Sequence, residues 1–391
     1  MELYQHQKDL IKLNPSKHLL AWGCGTGKTL ASIELSKIKD EQTLIICPKS
    51  IKEQWLEQVD YDILTKEEFR KDWRTLQKYD TLIIDEVHYF SGIKSQMYKN
   101  LIKYIKKNVP DNIFLLTATP YMSSPWNIYC LANILGYKWS YNKFKMAFFN
   151  DVRMGNRIIP VIKKNIEPQI AKLVNLIGGT VSLQDCIDVP EQIYQTEYFD
   201  LTSEQKRAIK EVQKTETNHI VKWTKIHQVC GGTLKGDGYI EDQYFKTEKL
   251  ERLKNICSEH KKVIVVCRYN AEVEMIEKQL KKCKLENVGS ITGKTQEKHS
   301  VVKVANEYKE TKLIINAACS EGYELPTFDL MVFYSYDFSL KNYLQMKGRI
   351  QRINNIKKNV YLDLIVKNTI DSDVKKSLKN KINFDLEIYK K

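Results

Sequence analysis

Short apolar runs separated by amphipathic stretches organise most of this chain. In the first half they are His18–Trp22, Thr43–Cys47, Thr81–Ile84 and Ile113–Leu116. In the second half they are Val263–Cys267, Lys312–Ile315, Leu330–Tyr334 and Val360–Val366. Continuous apolar runs of this length fit strands buried on both faces. The stretches between them read as helices, as in Ala271–Leu280, where Val273, Ile276 and Leu280 share a face. Strands alternating with helices predict an α/β fold of mostly parallel sheets with right-handed crossovers. The alternation breaks between about Tyr137 and Leu250. That stretch opens with an aromatic-basic segment, residues 138–145, in which Trp139, Tyr141 and Phe144 interleave with lysines. Aromatics at helical spacing are more often core than a stacking surface for bases. A hairpin turning at Met154-Gly155-Asn156 follows, with Arg153 and Arg157 beside it, and then helical runs. A boundary near Val189-Pro190 divides the chain into residues 1–188 and 189–391, with the hairpin and helical segment as an insertion between the two strand-rich halves.

Composition narrows the class. The chain has 391 residues, 42% of them hydrophobic and 28% charged, enough for two or three ordinary domains and unlike a disordered chain. Its 62 Lys+Arg against 48 Asp+Glu leave a net charge of +14. A basic surplus favours a polyanionic partner but is equally met in basic proteins that bind no such partner. The nine cysteines are scattered, with no C-x-x-C pair, which argues against a zinc site or a disulfide framework. A reducing compartment is the expectation. Met1–Leu10 lacks an apolar signal core, and no apolar run reaches membrane-spanning length, so no membrane association is expected.

Two motifs carry chemistry. Gly23-Cys24-Gly25-Thr26-Gly27-Lys28-Thr29 joins a strand to the helical run Leu30–Ile38. Glycines let backbone N–H groups approach an anion, and the new helix points its positive end at it. Lys28 would meet the β and γ phosphates, and the Thr29 hydroxyl would ligate Mg²⁺. Trp22 stands where the strict phosphate-loop pattern has its first glycine. The bland alternative is a glycine-rich turn that binds nothing. Further on, the strand Thr81–Ile84 ends in Asp85-Glu86. Asp85 would hold the hydrated Mg²⁺, and Glu86 would orient and deprotonate the attacking water. Paired acids at a strand end are common as solvated groups; their position after a phosphate loop is what gives them weight.

From here the sequence resembles the superfamily-two DEAD/DEAH-type helicases. Asp85-Glu86-Val87-His88 resembles their defining box. Leu116-Thr117-Ala118-Thr119-Pro120 is similar to motif III, and Cys47-Pro48-Lys49-Ser50 to motif Ia. Gln345-Met346-Lys347-Gly348-Arg349-Ile350-Gln351-Arg352 is similar to motif VI, although a basic surface helix would look alike in isolation. Ser320-Glu321-Gly322-Tyr323-Glu324-Leu325 resembles motif V, and His6-Gln7 the glutamine motif that reads adenine. Gln54-Trp55 and Thr369-Ile370-Asp371 resemble the compact Swi/Snf-like motors of viruses and bacteria. The resemblance spans nearly the whole chain in order. Motif V departs from the family in reading Tyr-Glu-Leu, and the loop Thr292-Gly293-Lys294-Thr295 lacks its downstream Arg.

The resemblance implies two RecA-like lobes: an ATP-binding lobe over residues 1–188 and an arginine-finger lobe over 189–391. Gln7, Gly25, Thr26, Gly27, Lys28, Thr29, Gly322 and Gln345 are implied as nucleotide-binding residues, and Lys28, Asp85, Glu86, Arg349 and Arg352 as catalytic ones. Arg349 and Arg352 are implied as fingers on the γ-phosphate. Mg²⁺ would sit on Thr29 and Asp85. Pro48, Lys49, Thr119, Arg268, Thr292 and Lys294 would contact a nucleic-acid backbone. The implied activity is a DNA helicase or translocase acting on single-stranded or branched DNA in the cytoplasm of a bacterial or virus-infected cell. Replication, recombination or restriction proteins are conceivable partners. An RNA helicase, or a nucleotide-regulated clamp without transport, are the alternatives.

Overall fold

The computed structural model describes residues 3–39, 41–121, 124–154, 157–186, 190–236, 241–351 and 358–380. The chain divides into two compact units, Met1–Val189 and Pro190–Lys391.

The first unit contains β1 (Lys17–Trp22), β2 (Thr43–Cys47), β3 (Asp62–Thr65), β4 (Thr81–Ile84), β5 (Asn112–Leu116), β6 (Phe149–Met154), β7 (Arg157–Ile162) and β8 (Gly178–Val181). Six of them form one parallel sheet in the order β3-β2-β4-β5-β1-β8. Its central strands are buried along almost their whole length because both faces are covered. Leu19, Leu44, Ile46, Leu82, Ile84, Ile113 and Leu115 join one core. The residues between them, including Leu20, Ile45, Ile83 and Phe114, join a second core on the opposite face. Alternate side chains of one strand thus feed two cores, as the pleat requires. β6 and β7 pair antiparallel as a sheet of their own. Helix Glu167–Ile177 then leads back to β8, which docks beside β1. At Gly178 the approach is so close that a Cβ would lie 2.0 Å from the Leu19 carbonyl oxygen.

The second unit contains β9 (Ile193–Phe199), β10 (Thr233–Leu234), β11 (Gln243–Tyr244), β12 (Lys262–Cys267), β13 (Val288–Ile291), β14 (Thr311–Asn316), β15 (Leu330–Phe333) and β16 (Val360–Val366). Its main sheet is parallel, in the order β13-β14-β12-β15-β16-β9. Again one pleat serves two cores, with Ile264, Val266, Leu313 and Ile315 on one side and Val263, Val265 and Ile314 on the other. Helices Ser203–Thr215 and His219–Cys230 precede the sheet's first central strand. A buried ion pair, Lys249 Nζ to Asp371 Oδ2 at 2.8 Å, joins helix Glu248–Glu259 to helix Ile370–Lys379.

The architecture is α/β, two RecA-like lobes with a parallel six-stranded sheet in each. Every apolar run predicted as a strand is one. The hairpin falls inside the first unit, before β8, and the two helices fall inside the second. Gly155 and Asn156 of the expected turn lie outside the described residues. No described helix is long and apolar enough to cross a membrane.

Candidate ATP site and strand-contact residues

In the first unit the loop Gly23–Gly27 leaves β1 and enters helix Lys28–Lys39. Gly25 and Gly27 have φ of 78° and 79°, the left-handed region open to glycine. Gln7 is fully buried beneath the loop; its side-chain amide donates to the Gly27 carbonyl at 3.0 Å, and its Oε1 accepts from the Tyr4 N–H at 2.8 Å. His6 Nε2 lies 2.9 Å from the Thr26 carbonyl oxygen. Thr26 Oγ1 donates to the Gly23 carbonyl at 2.8 Å. Lys28 Nζ donates to the Trp22 and Gly23 carbonyls at 2.9 Å each. Thr29 lies in the first turn of the helix, half-buried. Trp22, at the place of the usual first glycine, points into the core and is only 3% exposed, so its bulk is absorbed by the sheet rather than by the loop.

The paired acids follow β4. Asp85 Oδ1 accepts from the Glu86 N–H at 2.8 Å, and Oδ2 accepts from the Trp55 indole N–H at 3.0 Å. Burial, and then the Glu86 charge, push the Asp85 carboxyl up; the Lys28 ammonium and the Trp55 hydrogen bond pull it down. Lys28 and Asp85 therefore share one electrostatic site. Glu86 sits at φ 48°, ψ 48°, a left-handed conformation that costs a non-glycine residue about 1–3 kcal/mol. His88 Nδ1 lies 3.0 Å from Glu86 Oε2. After β5, Thr117 Oγ1 accepts from the Thr119 N–H at 3.1 Å, and the Thr119 hydroxyl is buried with no hydrogen-bond partner among the described residues. Pro48 and exposed Lys49 follow β2. All these residues stand at the carboxyl ends of the parallel strands, where open α/β sheets bind ligands.

The second unit repeats that placement. Gly322, with φ 87°, follows β14 and its short helical turn Ala317–Cys319. Buried Gln345 accepts from the Ser320 hydroxyl at 3.0 Å. Arg349, only 8% exposed, donates to the Gln345 carbonyl at 3.2 Å and the Tyr323 carbonyl at 2.5 Å. The two motifs are thus bound to each other. Arg268, after β12, pairs with Asp337 and lies 3.6 Å from the Phe338 ring centroid. Thr292 Oγ1 accepts from the Lys294 N–H at 3.3 Å in the loop after β13, where Lys294 is exposed. Arg352 lies outside the described residues.

Two protein-family models match the chain: "DEAD/DEAH box helicase" over residues 4–126 and "Helicase conserved C-terminal domain" over residues 248–354. Together they take in more than half of it and all the motifs of both units except the last helix. The chain belongs to the superfamily-two helicases. Its two matched segments are helicase-type ATPase domains. Among solved structures, the Sulfolobus solfataricus SWI2/SNF2 ATPase core in complex with dsDNA is 17% identical to this helicase, with 97% of this chain and 91% of that chain covered and a TM-score of 0.42. No curated protein matches it.

Reading by motif leaves out the contacts that hold the helicase site in shape. The Trp55 indole on Asp85, and the Tyr323 and Val181 carbonyls that accept from Arg349 and from the Gly23 N–H, belong to that set. Trp55 and Tyr323 stand inside the motifs, which mark the residues but not the partners they hold. Once buried, a tryptophan needs an acceptor for its N–H, and Asp85 supplies it.

Proposed function

We propose that this helicase is a Swi/Snf-like DNA motor, an ATPase stimulated by DNA that moves along, unwinds or remodels it. The reading rests most directly on one observation: the Lys28 loop and the Asp85-Glu86 pair meet at the carboxyl edge of one sheet, close enough for the Lys28 charge to act on Asp85. The loop fits a triphosphate. Gly25 and Gly27 take conformations that present backbone N–H groups, and a Cβ at Gly27 would come 2.3 Å from the Gln7 amide, so the cradle admits no side chain.

In this reading Gln7 and Thr26 hold the nucleotide side of the loop, and Lys28 neutralises the β and γ phosphates. Thr29 and Asp85 offer the hard oxygen donors that suit Mg²⁺, which supplies charge neutralisation on the phosphates. Glu86 orients a water against the γ-phosphorus and takes its proton as ADP departs. Gln345 and Gly322 shape the backbone around Arg349, and Arg349 and Arg352 stabilise the charge that develops on the transferred phosphoryl group. Pro48, Lys49, Thr119, Arg268, Thr292 and Lys294 take the phosphate backbone of the strand. Backbone contacts carry no sequence information, as a motor requires. Gln54-Trp55 and Thr369-Ile370-Asp371 support the Swi/Snf-like and hence DNA assignment. ATP turnover compared with single-stranded DNA, duplex DNA and RNA tests it. The largest stimulation is expected with DNA; preferential stimulation by RNA overturns the choice of polymer.

A further inference from the structure

The hairpin β6–β7 is built unlike anything else in the first unit. Among the described residues it is rooted at its base: Phe149 is buried in the core, and Ile162, its partner in register, packs against it. Lys145 pairs with Asp151 at 2.7 Å, and Lys163 Nζ donates to the Met146 carbonyl at 2.6 Å, which ties the ribbon to helix Tyr141–Phe148. The other face of the ribbon carries Val152 opposite Ile159, and Asn150 opposite Val161. Val152, Ile159 and Val161 are 41%, 41% and 44% exposed. A two-stranded ribbon is marginal by itself, and one that turns β-branched residues outward marks a contact surface.

The charge along this segment selects the occupant. Residues 138–164 hold seven Lys+Arg against one acidic residue, a net of +6 in 27 residues. A second copy of this chain would bring like charge against it. The adjoining helix buries Phe144 and Phe148 but turns Tyr141, stacked on Trp126 with ring centroids 4.7 Å apart, to 49% exposure. Exposed apolar side chains and an exposed aromatic ring set among cations match the base faces and phosphates of an unpaired strand. A duplex offers the phosphates without the base faces. We propose that helix Tyr141–Phe148 and the β6–β7 hairpin form an accessory arm that binds single-stranded nucleic acid. Val152, Ile159 and Tyr141 lie against bases, while Lys138, Lys143 and Arg153 neutralise phosphates.

The arm deepens the motor reading and rests on it. Its test uses the full chain, without ATP, titrated with labelled single-stranded DNA, single-stranded RNA and blunt duplex DNA of equal length. Two variants are compared: V152S/I159S and K143E/R153E. Their thermal unfolding midpoints are measured alongside, and ATP hydrolysis without nucleic acid should match wild type in both. K143E/R153E should bind both single strands at least tenfold more weakly, with the slope of log affinity against log salt flattened by about one for each phosphate no longer neutralised. V152S/I159S should bind single strands several-fold more weakly and the duplex as tightly as wild type, with its salt slope unchanged. Wild-type affinity and salt slope in both variants overturn the arm, as does an equal loss on duplex and single strand in V152S/I159S. Failure of the motor reading looks different: no polynucleotide then stimulates wild-type hydrolysis at all.

Discussion

Trp55 shows how much of this site depends on single atoms. Its indole N–H is a donor to Asp85 Oδ2, and both side chains are buried. Trp55→Phe keeps most of the packing and removes that donor. Leaving a buried carboxylate oxygen unpaired costs about 1–3 kcal/mol. The expected result is a fall in kcat for ATP hydrolysis of at least tenfold with KM little changed, because Asp85 loses its orientation while the loop keeps its shape. A variant that raises KM alone would show that Trp55 merely packs. Gly27 carries a second prediction. Gly27→Ala meets both a left-handed backbone and the Gln7 amide 2.3 Å away. Calorimetric titration should find nucleotide affinity reduced by at least tenfold; wild-type affinity would mean that the loop relaxes freely. Residue type and spacing mark Lys28, Asp85 and Glu86 in the sequence. The supports do not show there, because a carbonyl such as that of Tyr323 is contributed by any residue and its direction is set only by the fold.

At the level of elements, β8 links scaffold and site. It is an edge strand whose Val181 carbonyl accepts the Gly23 N–H at 2.7 Å, so it braces the first residue of the loop Gly23–Gly27. Gly178→Ala places a Cβ 2.0 Å from the Leu19 carbonyl oxygen, a backbone atom that cannot turn aside. β8 should detach from β1, and titration with a fluorescent ATP analogue should show affinity weakened several-fold although no nucleotide contact has been changed. Unaltered affinity would show that β8 is dispensable to the loop. The same strand shows where sequence patterns stop. The strands they marked are the central ones, β1, β2, β4 and β5 in one sheet and β12, β14, β15 and β16 in the other. The strands of these two sheets that they missed, β3, β8, β9 and β13, are the edges. A central strand is covered on both faces and reads as an unbroken apolar run; an edge such as Ile193–Phe199, with Tyr194 56% and Tyr198 60% exposed, does not. Gly178-Gly179-Thr180-Val181 has no apolar period at all, because its position is set by a close backbone approach.

For the molecule as a whole, charge works in two opposite ways. Buried charge ties the second unit together. Burial alone would raise the Asp371 carboxyl, but the Lys249 ammonium and then His227 outweigh it and hold the group at about 2. A carboxylate held below its unfolded value stabilises the fold above about pH 4, and that contribution drains away as pH falls through the folded value. The gap in thermal unfolding midpoint between wild type and Asp371→Asn should therefore narrow from pH 4 toward pH 2; a constant gap contradicts it. Lys249→Met takes the ammonium from buried Asp371 and should destabilise by about 3–5 kcal/mol, with the double variant K249M/D371L recovering much of the loss. Surface charge acts outward, and the net +14 is the long-range side of the proposed attraction to DNA, falling as salt rises. The proposed function is ATP hydrolysis that a polynucleotide stimulates and that needs both Lys28 and Arg349. The measurement closest to it is steady-state ATP hydrolysis with and without DNA in wild type, Lys28→Ala and Arg349→Ala. DNA should raise the wild-type rate, and neither variant should retain more than about one part in a thousand of the stimulated turnover. A wild-type rate indifferent to every polynucleotide, or an Arg349→Ala enzyme as fast as wild type, would contradict the account.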